Sequence, residues 1–166
     1  MSLPKSIAGL IFSSDRSAVL LVQRRDVPVW VLPGGGIDPN ETPENAVIRE
    51  ILEETGFTVK VDRLVGDYIP INRLTKQTYL YECTILSGHP TESLETKRVC
   101  FFPLSDLPKR IPPPYKEWIA DGRVIHPPIQ KKLTSITYLG LLKHLFIHPI
   151  LIIRHFLSRL GLPINT

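Results

Sequence analysis

The chain has 166 residues, of which 43% are apolar and 22% charged, and its formal net charge is +4 at neutral pH. That length suits one domain with room for a sizeable core, and the proportions are ordinary for a soluble globular protein. The positive balance sits in the tail: all 16 acids precede residue 122, and the first 130 residues hold 15 basic against 16 acidic groups. Five basic residues (Lys131, Lys132, Lys143, Arg154, Arg159) and three histidines follow with no acid among them. The charge therefore gives no reason to expect a nucleic-acid partner.

In chain order, the N-terminal MSLPKSIAGLIFSS has too short an apolar stretch and too poor a cleavage site for a signal peptide, and reads as a strand. Ser6–Ser14 and Ala18–Gln23, separated by the turn-like SSDRS, predict a hairpin or meander entering a sheet. Arg24 and Arg25 follow the second run, where a guanidinium can clamp a phosphate or stand solvated at a strand end. Trp30–Leu32 is a short strand leading into Pro33-Gly34-Gly35-Gly36, whose backbone can approach an ion or a phosphate closely.

The next helix is well marked. Thr42 suits the N-cap, Pro43 the first helical position, and Gly56 the positive-φ residue at the end. Val47, Ile48, Ile51 and Leu52 form an apolar stripe over roughly 0–140° of the helical wheel, and Glu50, Glu53 and Glu54 fall at roughly 240–340°. Carboxylates so close repel one another unless a cation lies among them. Clustered hard oxygens are what Mg²⁺ or Mn²⁺ prefers, with waters and substrate phosphates completing the shell. The alternative is a solvated acidic face after a glycine turn.

The same stretch carries a resemblance. Gly35, five residues, Glu41, seven residues, Arg49-Glu50-Ile51, one residue, Glu53-Glu54, one residue, Gly56-Phe57 fills every specified position of a Nudix box. The chain resembles the MutT-like Nudix hydrolases from roughly Pro4 to Val124. The resemblance implies an α/β/α sandwich with a mixed central sheet. It also implies metal-dependent cleavage of the phosphoanhydride in a nucleoside diphosphate linked to another group. Nucleotide sugars such as ADP-ribose, dinucleoside polyphosphates and (d)NTPs are the substrate classes in view. Pro70 and Tyr79 do not match the spacing of the markers that single out the ADP-ribose and dinucleoside polyphosphate branches.

On this reading Glu50, Glu53 and Glu54 hold Mg²⁺ (or Mn²⁺), with a carbonyl from the Gly34–Gly35 loop. Arg24, Arg25, Gly35 and Gly36 face substrate, Arg49 orients a carboxylate, and Glu41 gives electrostatic support. The general base is Glu53, or else Glu92 or Glu95 brought over the site by a mobile loop. The rival reading is a Nudix-shaped module that binds a nucleotide, or a partner at a membrane, without turnover.

Beyond the box, Thr58–Ile69 predicts a strand bent at Gly66, and Gln77–Leu86 and Val99–Leu104 predict two more. Cys83 and Cys100 fall in these strands without metal-type spacing and are expected as buried free thiols. Pro108–Tyr115, with four prolines, predicts a stiff connector, and Tyr115–Asp121 a short helix ended at Gly122. Tyr68, Tyr79, Tyr81, Tyr115 and Trp118 are open either to base stacking or to packing.

A boundary is expected between the catalytic domain, 1–130, and an apolar, basic, helical extension, 131–166. The extension's apolar runs fall short of the roughly 20 residues a spanning helix needs, and Pro149 should kink it. It can pack on the domain, join a second copy in a homodimer, or lie at an anionic membrane surface. The cytoplasm, with or without membrane contact, is the expected location.

Overall fold

In the computed structural model, which describes residues 5–138 and 140, the first two apolar runs start as a hairpin and then part. Phe12 bridges Val19, and the Ser13 amide donates to the Ala18 carbonyl at 2.9 Å. Beyond this tip β1 (Lys5–Leu10) and β2 (Ala18–Arg24) enter different sheets. The expected hairpin is thus confined to its turn. Both runs are buried on both faces, and each strand needs cover from two sides.

The remaining elements are β3 (Trp30–Val31), α1 (Pro43–Thr55), β4 (Phe57–Pro70), β5 (Gln77–Gly88), β6 (Thr96–Pro103), α2 (Tyr115–Arg123) and β7 (Ile129–Leu133). The larger sheet has the order β1-β5-β4-β7 and is mixed, with β1 parallel to β5, β5 antiparallel to β4, and β4 parallel to β7. The smaller sheet, β3-β2-β6, is antiparallel. The register of β4 on β5 slips between Leu64 and Gly66, which is the bend the glycine predicts.

Alternation along the strands divides the core between two faces. On one face Leu10, Leu80, Val65 and Tyr68 pack with Trp118 and Ile119 of α2. On the other, Ile7, Tyr81 and Val59 pack with Val47 and Ile51 of α1. The result is the α/β sandwich around a mixed sheet that the resemblance implies.

Three expectations are corrected. Cys83 is buried but Cys100 is exposed, because β6 is an edge strand and alternate residues face outward. Leu52 is half exposed: the buried arc of α1 runs through Val47, Ile51, Glu54 and Thr55 and leaves the far end of the apolar stripe in solvent. The boundary drawn after residue 130 falls inside β7, where Lys131 and Lys132 pair with Tyr68 and Ile69, and Leu133 is buried. The helical character, dimer contact and membrane contact expected of the extension fall mainly on residues outside those described. Among the described residues, no helix is long and apolar enough to cross a membrane.

Gly9 sets the distance between α1 and the sheet. A Cβ there would stand 2.5 Å from Ile51 Cδ1 and 2.9 Å from Ile51 Cγ1, with Val47 Cγ2 at 3.3 Å. Val47 and Ile51 are fully buried, so the helix has nowhere to yield without moving. Gly9→Ala is expected to destabilise the fold by about 1–3 kcal/mol through overpacking, read as a lower urea midpoint with an unchanged m-value. An unchanged midpoint would show that α1 has slack at this contact.

Candidate active site

The glycine stretch closes the open edge of β1. Ile7 N–H donates to the Gly35 carbonyl at 3.0 Å, Gly9 N–H donates to the Pro33 carbonyl at 2.8 Å, and Ser6 bridges Gly36. Gly34 has φ +155, and a Cβ there would run into the Ile7 carbonyl. Only glycine fits so close to a neighbouring backbone. At Gly35 a Cβ would strike the Glu50 carboxylate, which lies directly on the loop.

Helix α1 is capped as its sequence predicts. Thr42 Oγ1 accepts from Asn45 N–H at 3.2 Å, Pro43 opens the helix, and Gly56 (φ 77) closes it with its N–H on the Leu52 carbonyl. These fixed ends set the rotation of the helix and so the direction of each acid. Glu54 points inward and is buried, Glu50 is half-buried, and Glu53 is exposed.

Arg49 ties the site together. Its Nε and Nη2 donate to the two carboxylate oxygens of Glu41 at 3.0 and 2.9 Å, the paired geometry that the guanidinium fork matches. Nη1 donates to Glu50 at 2.9 Å and, more weakly, to Glu53 at 3.4 Å, and Nη2 also reaches the Gly36 carbonyl at 3.2 Å. Asp38 approaches the same Nη2 at 3.8 Å. The hydrogen bond from Arg49 holds the Glu41 carboxyl below the usual range, and Glu41 in turn makes Arg49 still harder to deprotonate.

The inner acids behave in the opposite way. Burial pushes Glu54 up to about 7, although the Gly34 N–H donates to it at 2.9 Å, and the Glu50 charge adds to the rise. Burial likewise raises Glu50, despite Arg49, with Glu53 and Glu95 adding to it. Carboxyl groups crowded until ionisation is costly suit a hard divalent cation, whose charge offsets both the burial and the repulsion. Glu50 and Glu54 fit that role, and Glu53 lies exposed on the same helix beside them. Among the described residues, no three acid, histidine or thiol side chains yet converge as a closed ligand set, and Glu50 and Glu53 are both turned toward Arg49.

The other predicted residues divide into two groups. Arg24 forks onto Asp26 at 2.8 and 2.6 Å, which with nearby charges including Glu54 keeps its guanidinium protonated. The run Arg24-Arg25-Asp26 carries the sequence signal for this pairing. Arg25 turns to the loop before β6, with Nε on the Ser93 carbonyl and Nη2 on Glu92, both at 2.8 Å. From that loop Glu95 is near enough for its charge to bear on Glu50 and on Glu54. Tyr68, Tyr81 and Trp118 are buried core residues, which settles them as packing.

Residues 3–122 match the NUDIX domain family. A Bacillus subtilis (strain 168) protein whose name carries a proposed 8-oxo-dGTP diphosphatase activity is 48% identical over 61 residues, 37% of this chain and 41% of that one. A Bos taurus diphosphoinositol polyphosphate phosphohydrolase 3-beta is 40% identical over 93 residues, 55% of this chain and 54% of that one. Each match therefore spans about half or less of that relative's length. The crystal structure of an ADP-ribose pyrophosphatase from Streptococcus suis superposes with a TM-score of 0.64 at 26% identity, covering 78% of this chain and 99% of that one. With the family match spanning most of the chain and the box acids gathered on the glycine loop, this protein belongs to the Nudix hydrolase family.

Proposed function

We propose that the protein hydrolyses a phosphoanhydride bond in a nucleoside diphosphate linked to another moiety, and that it uses Mg²⁺ or Mn²⁺ to do so. The observation that carries this reading is the placement of Glu50 and Glu54 against the glycine loop. The relatives support the bond class. Their names refer to a nucleoside triphosphate, an inositol pyrophosphate and ADP-ribose, which differ widely but share a phosphoanhydride.

Little covalent chemistry is asked of the side chains in such a reaction; placement and charge do most of the work. Glu50, Glu53 and Glu54 are the residues to hold the metal, together with the Gly34 segment. A divalent ion there supplies Lewis acidity toward the phosphate oxygens and makes water easier to deprotonate. Arg49 fixes the carboxylates, and Glu41, paired with it, sets its orientation. The carbonyls of Gly35 and Gly36 accept from Ile7 and Arg49, so it is the N–H groups of this segment that would line the approach of the phosphates.

Glu95 is favoured as the general base. It is exposed, so it can meet a water, and its charge reaches the inner acids. Glu92 is engaged by Arg25, and Glu53 leans on Arg49. Arg24, held by Asp26 beside Glu54, is placed to balance charge at the rim.

Turnover of ADP-ribose, UDP-glucose, a dinucleoside tetraphosphate, GTP and 8-oxo-dGTP, each with Mg²⁺ and with EDTA, tests the reading. One of these is expected to be cleaved only with the metal, and Glu53→Gln, which removes a proposed metal ligand, to slow that cleavage by about a hundredfold or more. Tight metal-dependent nucleotide binding without turnover of any would replace hydrolysis with recognition. Arg49→Lys keeps the charge but cannot fork onto Glu41 while also reaching Glu50. It is expected to lower kcat by about tenfold or more with a smaller change in KM, in the same assay. Wild-type kinetics would mean that charge alone is needed at this position.

A further inference from the structure

We infer that Arg25 is a positioning residue that fixes the Glu92–Glu95 loop, which leaves the end of α1 where Thr91 N–H donates to the Thr55 carbonyl at 2.9 Å, so that Glu95 is held in place for its role, and that Arg25 is not itself a phosphate clamp. This rests on the reading of Glu95 as the general base. Three bonds from this one residue fasten the loop. Its backbone N–H donates to the Glu95 carbonyl at 2.9 Å, its Nε to the Ser93 carbonyl at 2.8 Å, and its Nη2 to Glu92 Oε2 at 2.8 Å. The guanidinium thus spends its fork on the loop, one prong on backbone and one on a carboxylate.

The loop's own bonds make that anchor decisive. Ser93 Oγ accepts from the N–H groups of Glu95 at 3.3 Å and Thr96 at 3.0 Å, and Ser93 N–H donates to the Thr96 carbonyl at 3.0 Å. This small turn is rigid within itself, but its side chains give it little hold on the domain. Leu94 is 97% exposed, and Glu92 and Glu95 are exposed. Thr96, 1% exposed, marks where the chain enters the core. Ahead of it, Arg25 supplies the side-chain link from Ser93 and Glu92 back to the sheet.

The strand pairing explains why the residue after Arg24 serves this purpose. Gln23 pairs with Arg98 but Arg24 pairs with Thr96, so the ladder skips one residue of β6. Such a bulge turns the following side chains and bends the strand. Arg24 is then directed to Asp26, and Arg25 to the far side of the bulge, where the loop lies. Two adjacent arginines that look equivalent in sequence acquire separate tasks.

The test compares Arg25→Ala, Arg25→Lys, Glu92→Ala and Glu95→Gln in kcat and KM on the panel substrate turned over fastest, alongside amide hydrogen exchange at Glu95 and Thr96. Arg25→Ala is expected to lower kcat between about tenfold and a hundredfold with KM within about twofold. Exchange at Glu95 and Thr96 should speed up by about tenfold or more. Arg25→Lys, which can still reach one acceptor, should recover part of both effects, and Glu92→Ala should produce a smaller loss than Arg25→Ala. These two milder variants keep the test decisive if Arg25→Ala folds poorly.

A rise in KM with unchanged exchange would make Arg25 a phosphate contact and overturn the inference. So would a larger kcat loss in Glu92→Ala than in Arg25→Ala, since Glu92 would then be the base. If Glu95→Gln slows turnover while the Arg25 variants leave kcat and exchange unchanged, the positioning role fails and the general-base reading stands. If Glu95→Gln keeps the wild-type kcat, both fail together.

Discussion

The site depends on a single guanidinium surrounded by carboxylates. Arg49 binds Glu41 through two oxygens, reaches Glu50 and Glu53 on its own helix, and touches the Gly36 carbonyl. Without it, Glu41 ahead of the helix and Glu50 and Glu53 on its C-terminal half would have lost the cation to which all three are bonded. With it, the outer acids are pinned and the inner pair, Glu50 and Glu54, stays crowded against the loop. Charge is thus balanced at the rim and left in excess at the centre, the arrangement that the proposed divalent cation would offset.

That balance works only because α1 is held at a fixed height and rotation. Gly9 lets Val47 and Ile51 press onto β1, and the caps at Thr42 and Gly56 fix the ends of the helix. The glycine loop pairs with the same strand through Ile7 and Gly9, so loop and helix are both referenced to β1. The loop carrying Glu95 is referenced instead to the end of β2, through the Arg25 backbone and side chain. The candidate groups therefore come from three parts of the chain, set against two strands of different sheets.

Much of this was legible in the sequence. The caps, the extent of α1, the box spacing and the later strands follow from local chemistry, and local chemistry acts over a few residues. What could not be read was where each surface turns. Glu54 looks like one of three equal acids, yet it is buried because its place on the wheel adjoins Val47. Leu52 looks apolar and inward, yet it lies past the arc of α1 that is buried. The parting of β1 and β2 into separate sheets depends on β5 and β6, which come more than fifty residues later. Arg24 and Arg25 read as twins because the bulge that separates them belongs to the pairing with β6. Cys100 needed the knowledge that β6 is an edge.

The most direct measurement is thermal unfolding of the wild type and of a Glu50→Gln, Glu54→Gln double variant, titrated with Mg²⁺ or Mn²⁺ and no nucleotide. A cation held by the crowded acids stabilises the folded chain by about 2.7 kcal/mol at a concentration a hundred times its Kd. A concentration-dependent rise in Tm for the wild type, absent from the double variant, is the expected result. Equal responses in the two proteins, or a flat wild-type Tm at millimolar metal, would contradict the assignment of these glutamates to a metal centre.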